Sequence, residues 1–184
     1  MSTYGTQNEL LLNNLLEFYE EEKYNKMLKI INGDSKISLR IVDWFTTNYA
    51  KKYYTVYNIN YDNDLVKRFK VYNDYKLQLK AYSKKRFDPF CRWERIYVPY
   101  KNDKQIQTTI GQLNFFRWAI ENKVLDYIEE NYSSIENDMN TRNSTAKKQD
   151  KMIDKKTRKR REELSLLASK SIKKEEVKIV VNFN

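Results

Sequence analysis

Histidine is absent from this sequence and the residues that usually punctuate or staple a chain are scarce: 184 residues hold no His, one Cys, two Pro and three Gly. Without His, Cys91 has no imidazole to activate it and no Ser-His or Cys-His pair can be assembled. One Cys with no His makes neither a structural zinc site, which takes four such ligands, nor an internal disulfide, so a reducing compartment is expected. Among so few glycines, Gly111 in Thr109-Ile110-Gly111-Gln112 stands alone at a helix start, and no phosphate-cradling loop occurs. No metal and no cofactor is therefore expected. Apolar runs are also short. None approaches the ~20 residues that span a bilayer, and Met1-Ser2-Thr3-Tyr4-Gly5 lacks a basic stretch followed by an apolar one. The expectation is a soluble chain, outside the standard secretory route and without a membrane partner.

What is present is packing material and positive charge. A hydrophobic fraction of 40%, with fifteen Tyr, eight Phe and three Trp, is more than a disordered chain of this charge would carry. The length suits one domain plus an appendage. Net charge is +10, and it is segregated. Residues 1–32 carry −2, residues 33–100 carry +7, residues 101–140 carry −3 and residues 141–184 carry +8. Abundant Lys, Asn, Ile and Tyr fit an AT-rich genome, so the position of the charge says more than its total. Two basic blocks separated by an acidic one make a field for phosphates.

Along the chain, Glu9–Ile31 shows apolar residues at helical spacing on either side of Glu20–Glu22, which predicts two short helices. Asn32-Gly33-Asp34-Ser35 is a turn. Ile37, Ile41, Val42, Phe45 and Tyr49 then line one face of a helix ending near Lys51-Lys52, where cations suit a helix C-terminus. Tyr53–Ile59 and Arg68–Tyr72, rich in β-branched and aromatic residues, predict a hairpin across an Asn/Asp turn. Helical periodicity returns from Asp74 to Ser83 through Tyr75, Leu77, Leu79 and Tyr82, and is broken before Pro89. Ile96-Tyr97-Val98 is a third strand candidate. From Thr108 to Met139 three- and four-residue steps predict one long central helix, bent near Asn122. Thr141–Thr145 reads as a boundary, followed by a basic helix over Lys147–Ala168. The alternation of Val177, Ile179, Val181 and Phe183 predicts a terminal strand, which must pair with the sheet of the body or with a second copy. The fold class is thus α+β: a helix-rich single domain over residues 1–140 with a small, mainly antiparallel sheet. Residues 141–184 form a basic helical appendage whose terminal strand docks back on that sheet.

Two clusters point to a polyanion. The denser lies in the appendage: Lys151, Lys155, Lys156, Arg158, Lys159, Arg160 and Arg161. Two following acids, Glu162 and Glu163, do not neutralise it, and phosphate contact or a nuclear localisation signal are its functional readings, against a merely solvated helix. The second comprises Lys76, Lys80, Lys84, Lys85, Arg86, Arg92 and Arg95, interleaved with Tyr75, Tyr82, Phe87, Phe90, Trp93 and Tyr97. Aromatics among cations can stack bases while Lys and Arg hold the backbone; the competing reading is core aromatics with solvated flanks. Trp93 is expected to be exposed, Tyr82 is the second candidate for exposure, and Phe87 and Phe90 are expected inside. For chemistry, Asp88 and Glu94 lie six residues apart, as a metal-dependent nuclease pair could, but Ile96 occupies the place of the lysine such enzymes use.

Four stretches carry a resemblance. They are Ser38-Leu39-Arg40-Ile41-Val42-Asp43-Trp44-Phe45-Thr46-Thr47-Asn48-Tyr49; Tyr75 through Cys91, with Ser83-Lys84-Lys85-Arg86-Phe87-Asp88-Pro89-Phe90-Cys91; Thr108 through Ile120, with Asn114-Phe115-Phe116-Arg117-Trp118-Ala119; and Arg161-Glu162-Glu163-Leu164-Ser165. Together they resemble the immediate-early protein family of iridoviruses and related nucleocytoplasmic large DNA viruses, with this chain as a giant amoebal virus member. The resemblance implies a viral, early protein of the infected cell, in cytoplasm or nucleus, or of the virion, and transfers no catalytic residue. The expected function is non-enzymatic binding of DNA or RNA in viral gene expression or genome handling, with other viral proteins as further partners. The alternative is a virion or assembly protein with a genome- or partner-contacting basic tail.

Overall fold

A computed structural model describes residues 6–60, 66–100 and 105–150, with side chains through Arg142. The predicted basic helix beyond Asp150, its cation cluster and the terminal strand lie outside the described residues.

Helix α1 (Gln7–Phe18) is fixed at its start by a reciprocal cap, in which Thr6 Oγ1 accepts from the Glu9 amide and Glu9 accepts from the Thr6 amide. Helix α2 (Glu21–Asn32) begins with Glu21 and Glu22, favourable at the positive end of a helix, and ends on Gly33 at φ 80°, where a side chain would be strained. The break falls in the Glu-rich stretch, as the sequence predicts. Helix α3 (Leu39–Trp44) starts on Ser38, whose hydroxyl accepts from the Ile41 amide. It runs through a π-helical turn, Phe45–Tyr49, into the short α4 (Ala50–Lys52). Thr46 and Thr47 explain the widened turn, because their hydroxyls donate to the carbonyls of Val42 and Asp43 that the regular ladder would use.

The single small sheet expected from the sequence is instead two separate hairpins. Strand β1 (Val56–Asn60) pairs antiparallel with β2 (Val66–Lys70), with Tyr57 opposite Phe69. Strand β3 (Arg95–Pro99) pairs antiparallel with β4 (Gln105–Thr109), with Tyr97 opposite Gln107. No strand of one pairs with a strand of the other among the described residues. The partner β4 is absent from the sequence prediction because Gln-Ile-Gln-Thr-Thr has one aliphatic residue, and its Thr108-Thr109 end reads as a helix start. Its β-branched Ile106, Thr108 and Thr109 suit a strand, and their burial, with pairing to β3, decides for one.

Between the hairpins, α5 (Val71–Arg86) begins three residues earlier than its periodicity suggests and has a non-helical Ser83 at φ 62°. The long central helix is three: α6 (Ile110–Glu121), α7 (Val124–Glu130) and α8 (Tyr132–Asp150), with Lys123 at φ 54° marking the first break. Helix α8 runs without interruption through the polar stretch 141–145 that reads as a boundary, so the proposed division at residue 140 falls inside a helix.

Helix α6 is the centre of the molecule. From Ile110 to Ala119 only Arg117 reaches toward solvent, and Leu113, Phe115, Phe116 and Ala119 are fully enclosed. A helix buried nearly all round has to be covered on all sides. Helix α1 covers one flank, where the Tyr19 hydroxyl donates to the Leu113 carbonyl at 2.6 Å; burial pushes that hydroxyl well above its ordinary pKa. Helix α5 covers another, where the Trp118 indole donates to Asp74 at 2.6 Å and Tyr75, Phe87, Phe115 and Trp118 pack ring against ring. Hairpin β1–β2 reaches α6 and α7 through Tyr57, which stacks on Tyr127 and donates to the Asn122 carbonyl.

Candidate nucleic-acid interface

The mid-chain basic cluster lies where α5 ends, and the first turn of α6 determines its shape. After Ser83 the chain makes one more turn through Lys84, Lys85 and Arg86, then folds under the N-terminus of α6. Phe87 plugs the loop into the aromatic core. Asp88 closes a turn by accepting from the Phe90 amide at 2.8 Å, and Cys91, buried, donates toward the Lys85 carbonyl. Burial pushes the Asp88 carboxyl above the usual carboxylate range, with the Phe90 amide and Lys84 opposing that rise.

Two polar side chains on α6 and the threonine that caps it grip this loop. Gln112 donates to the Pro89 carbonyl at 3.1 Å and accepts from the Thr108 hydroxyl at 3.2 Å, so both ends of a buried amide are satisfied. Asn114 donates to the Arg86 carbonyl at 2.9 Å. Thr109 caps α6 by accepting from the Gln112 amide and donates to the Cys91 carbonyl. The Asp88 amide, in turn, donates to the Gly111 carbonyl. Gly111 is required for close approach rather than for a phosphate: a Cβ there would lie 2.9 Å from the Cys91 Cβ and 3.0 Å from the Lys85 carbonyl oxygen.

This frame holds a projecting tip. Trp93 is 73% exposed, with Arg92 and Lys84 also in solvent and Lys85 paired with Glu94. Glu94 itself sits at φ 50°, the strained corner that turns the chain into β3. On the outer face of β3–β4, Arg95 donates to Gln107 at 3.0 Å and Gln107 donates to the Tyr97 hydroxyl at 2.9 Å. Tyr97, four residues along the chain from Trp93, is 50% exposed on that face. Residues 80–95 carry six cations and two carboxylates, and both carboxylates are engaged, Asp88 with Lys84 at 3.6 Å and Glu94 with Lys85.

The structure brings Lys84, Lys85, Arg86, Arg92 and Trp93 onto or beside one stitched loop, and places Lys80 on the exposed side of α5. Arg86 is half-buried, donating to Gln7 at 3.3 Å. Phe87 is inside as expected, whereas Phe90 and Tyr82 are both half-buried and packed against the core. Leu77, given by periodicity to the apolar face of α5, is 64% exposed. Lys151, Lys155, Lys156, Arg158, Lys159, Arg160 and Arg161 lie outside the described residues. Gln112, Asn114 and Gln107 do not stand out in the sequence reading; two amides inside an otherwise apolar helical run were the signal for the first two.

Residues 3–184 match a family of unknown function, DUF7197. The chain belongs to this family. It is similar to an uncharacterized protein of Acanthamoeba polyphaga mimivirus, 51% identical over 130 residues that cover 67% of this chain and 50% of the relative. The chain therefore spans about half the length of that relative. These findings support the giant-virus placement and replace the iridovirus immediate-early family that the sequence words suggested. No solved structure matches.

Proposed function

We propose that this chain is a non-enzymatic, nucleic-acid-binding protein of a giant virus that acts in viral gene expression or genome handling. The observation that carries the reading is Trp93. A large indole held in water just beyond a loop that five hydrogen bonds fix in place is a stacking platform whose supporting backbone is already ordered before binding. Arg92, Lys84 and Lys85 around it supply the backbone-holding charge, and Tyr97 offers a second ring. The basic run Arg158–Arg161 is assigned the same task of sequence-independent phosphate contact. Asp88 and Glu94, the one acid pair with nuclease-like spacing, are each turned toward a lysine, which favours binding over metal-assisted cleavage.

The test is a filter-binding titration of single- and double-stranded DNA and RNA at two salt concentrations. Trp93→Ala is expected to weaken single-strand binding by ~1–3 kcal/mol. Replacement of Arg158–Arg161 by Gln is expected to reduce the slope of log K against log salt by about two to three, at ~0.7–0.9 per lost phosphate contact. Unchanged binding in both variants would reject the reading. Recovery of the protein from purified particles, with no affinity for nucleic acid, would favour the assembly alternative.

A further inference from the structure

A second feature stands apart from the Trp93 loop. The π-helical turn and α8 enclose an open groove of about 590 Å³, whose lining includes Asn48, Lys51, Lys52, Asp138 and Arg142. Three of these are cations and one is a carboxylate, and the carboxylate is already saturated. Asp138 accepts from Lys52, from the Tyr53 hydroxyl at 3.0 Å and from the Trp44 indole at 3.2 Å, and its side chain is only 6% exposed. Burial alone would push it up, but those three donors outweigh burial and hold its carboxyl below the usual range. Asp138 thus acts as the anchor that sets Lys52 at the rim.

Arg142 has supports of its own. Its guanidinium lies over the Trp44 ring, 5.5 Å from the centroid, and donates to the Asn48 side-chain oxygen at 3.2 Å. Asn48 is oriented in turn by donating to the Thr47 hydroxyl, which itself donates to the Asp43 carbonyl in the π turn. Lys51 rests over the Tyr72 ring. Two long flexible cations and one planar fork are therefore drawn to one groove by aromatic rings and a buried acid, which lowers the side-chain entropy lost when they take up a ligand. Loose solvated lysines have no such supports.

We propose that this groove binds a phosphate group. A tetrahedral dianion offers acceptors in several directions, which suits a guanidinium fork with two ammonium groups better than a single carboxylate does. The groove is larger than one phosphate, leaving room for the body that bears it, either a small phosphorylated molecule or a stretch of nucleic-acid backbone. A π turn at this spot agrees with the frequency of such turns at functional sites.

The three indole N–H groups allow a test that keeps this inference separate from the Trp93 reading. In ¹⁵N spectra of the full chain, the Trp44 signal reports the groove, Trp93 the loop, and Trp118, bonded to Asp74, the integrity of the fold. Titration with inorganic phosphate is expected to shift Trp44 saturably, beyond what chloride does at equal ionic strength, and Arg142→Gln to weaken that binding about tenfold. Should Arg142→Gln disturb Trp118, Lys51→Gln provides the same comparison. A linear shift, or one that both variants retain, would overturn the proposal. A short oligothymidylate that moves Trp44 and competes with phosphate would identify the source as a nucleic-acid backbone. Phosphate binding that the oligonucleotide leaves untouched would identify a small phosphorylated ligand. Loss of Trp93 shifts alone bears on the other reading and leaves this one standing.

Discussion

The two ends of the central helix α6 are closed to water by different means. At the N-terminus of α6, Thr108, Thr109, Gln112 and Asn114 are buried polar groups and grip the Arg86–Cys91 loop through hydrogen bonds. Where α6 passes into α7 and α8, the enclosed side chains are Ala119, Val124, Leu125, Ile128 and Ile135, with no buried amide among them. Apolar packing is non-directional and tolerates small shifts of one element against another, whereas an amide pair fixes both distance and orientation. The aliphatic end supplies stability. The polar end spends some of it to position a loop, and that loop carries the exposed tryptophan.

The comparison is broken first in the apolar part. Phe116, fully buried on α6, is expected to cost ~3–5 kcal/mol on replacement by Ala, read as a shift of the urea midpoint with the slope unchanged. A loss below one would mean that α6 is not where the stability resides. At the polar end, Gln112→Ala should cost less, about 1–3 kcal/mol, by leaving the Pro89 carbonyl and the Thr108 hydroxyl without their partner. Its distinguishing sign is a shift of the Trp93 indole ¹⁵N signal, which Phe116→Ala should not produce.

Smaller effects sharpen the same contrast. Asp138 is held below its ordinary pKa, so its contribution is present above the unfolded value of about 4 and is lost as pH falls through the lower folded value. Asp138→Asn is expected to lose about 1 kcal/mol at neutral pH, since its partner Lys52 is half in solvent, and to flatten the acid limb of stability against pH. An acid limb identical to that of the parent would show that other carboxylates set it. The smallest effect is at Trp93, where replacement by Ala should change stability by less than about 0.5 kcal/mol, because an exposed side chain leaves no cavity. Measurable unfolding in that variant would mean that the tip is part of the frame rather than carried by it.

Much of this architecture is legible in the order of residues. The break between α1 and α2, the turn at Gly33, the helix from Leu39 to Lys52 and the first hairpin follow from periodicity, caps and β-branched runs, all of which act over a few residues. So does the exposure of Trp93 beside a proline-broken helix end. What only the tertiary structure decided are matters of long-range partnership. Strand β4 exists because β3 pairs with it and the helices bury Ile106, Thr108 and Thr109; those three β-branched residues permit a strand, but two glutamines and a helix-start reading of Thr108-Thr109 leave it unmarked locally. The three-fold division of the central helix rests on Asn122, Lys123 and Asn131 yielding where packing demands a turn, while the unbroken α8 runs through a polar stretch that reads as a boundary. Composition and spacing placed the cations on the chain. Which of them share a surface depends on contacts such as Gln112 with Pro89 and Asp138 with Lys52, 23 and 86 residues apart, and a pairing of that range is set by the packing of whole helices.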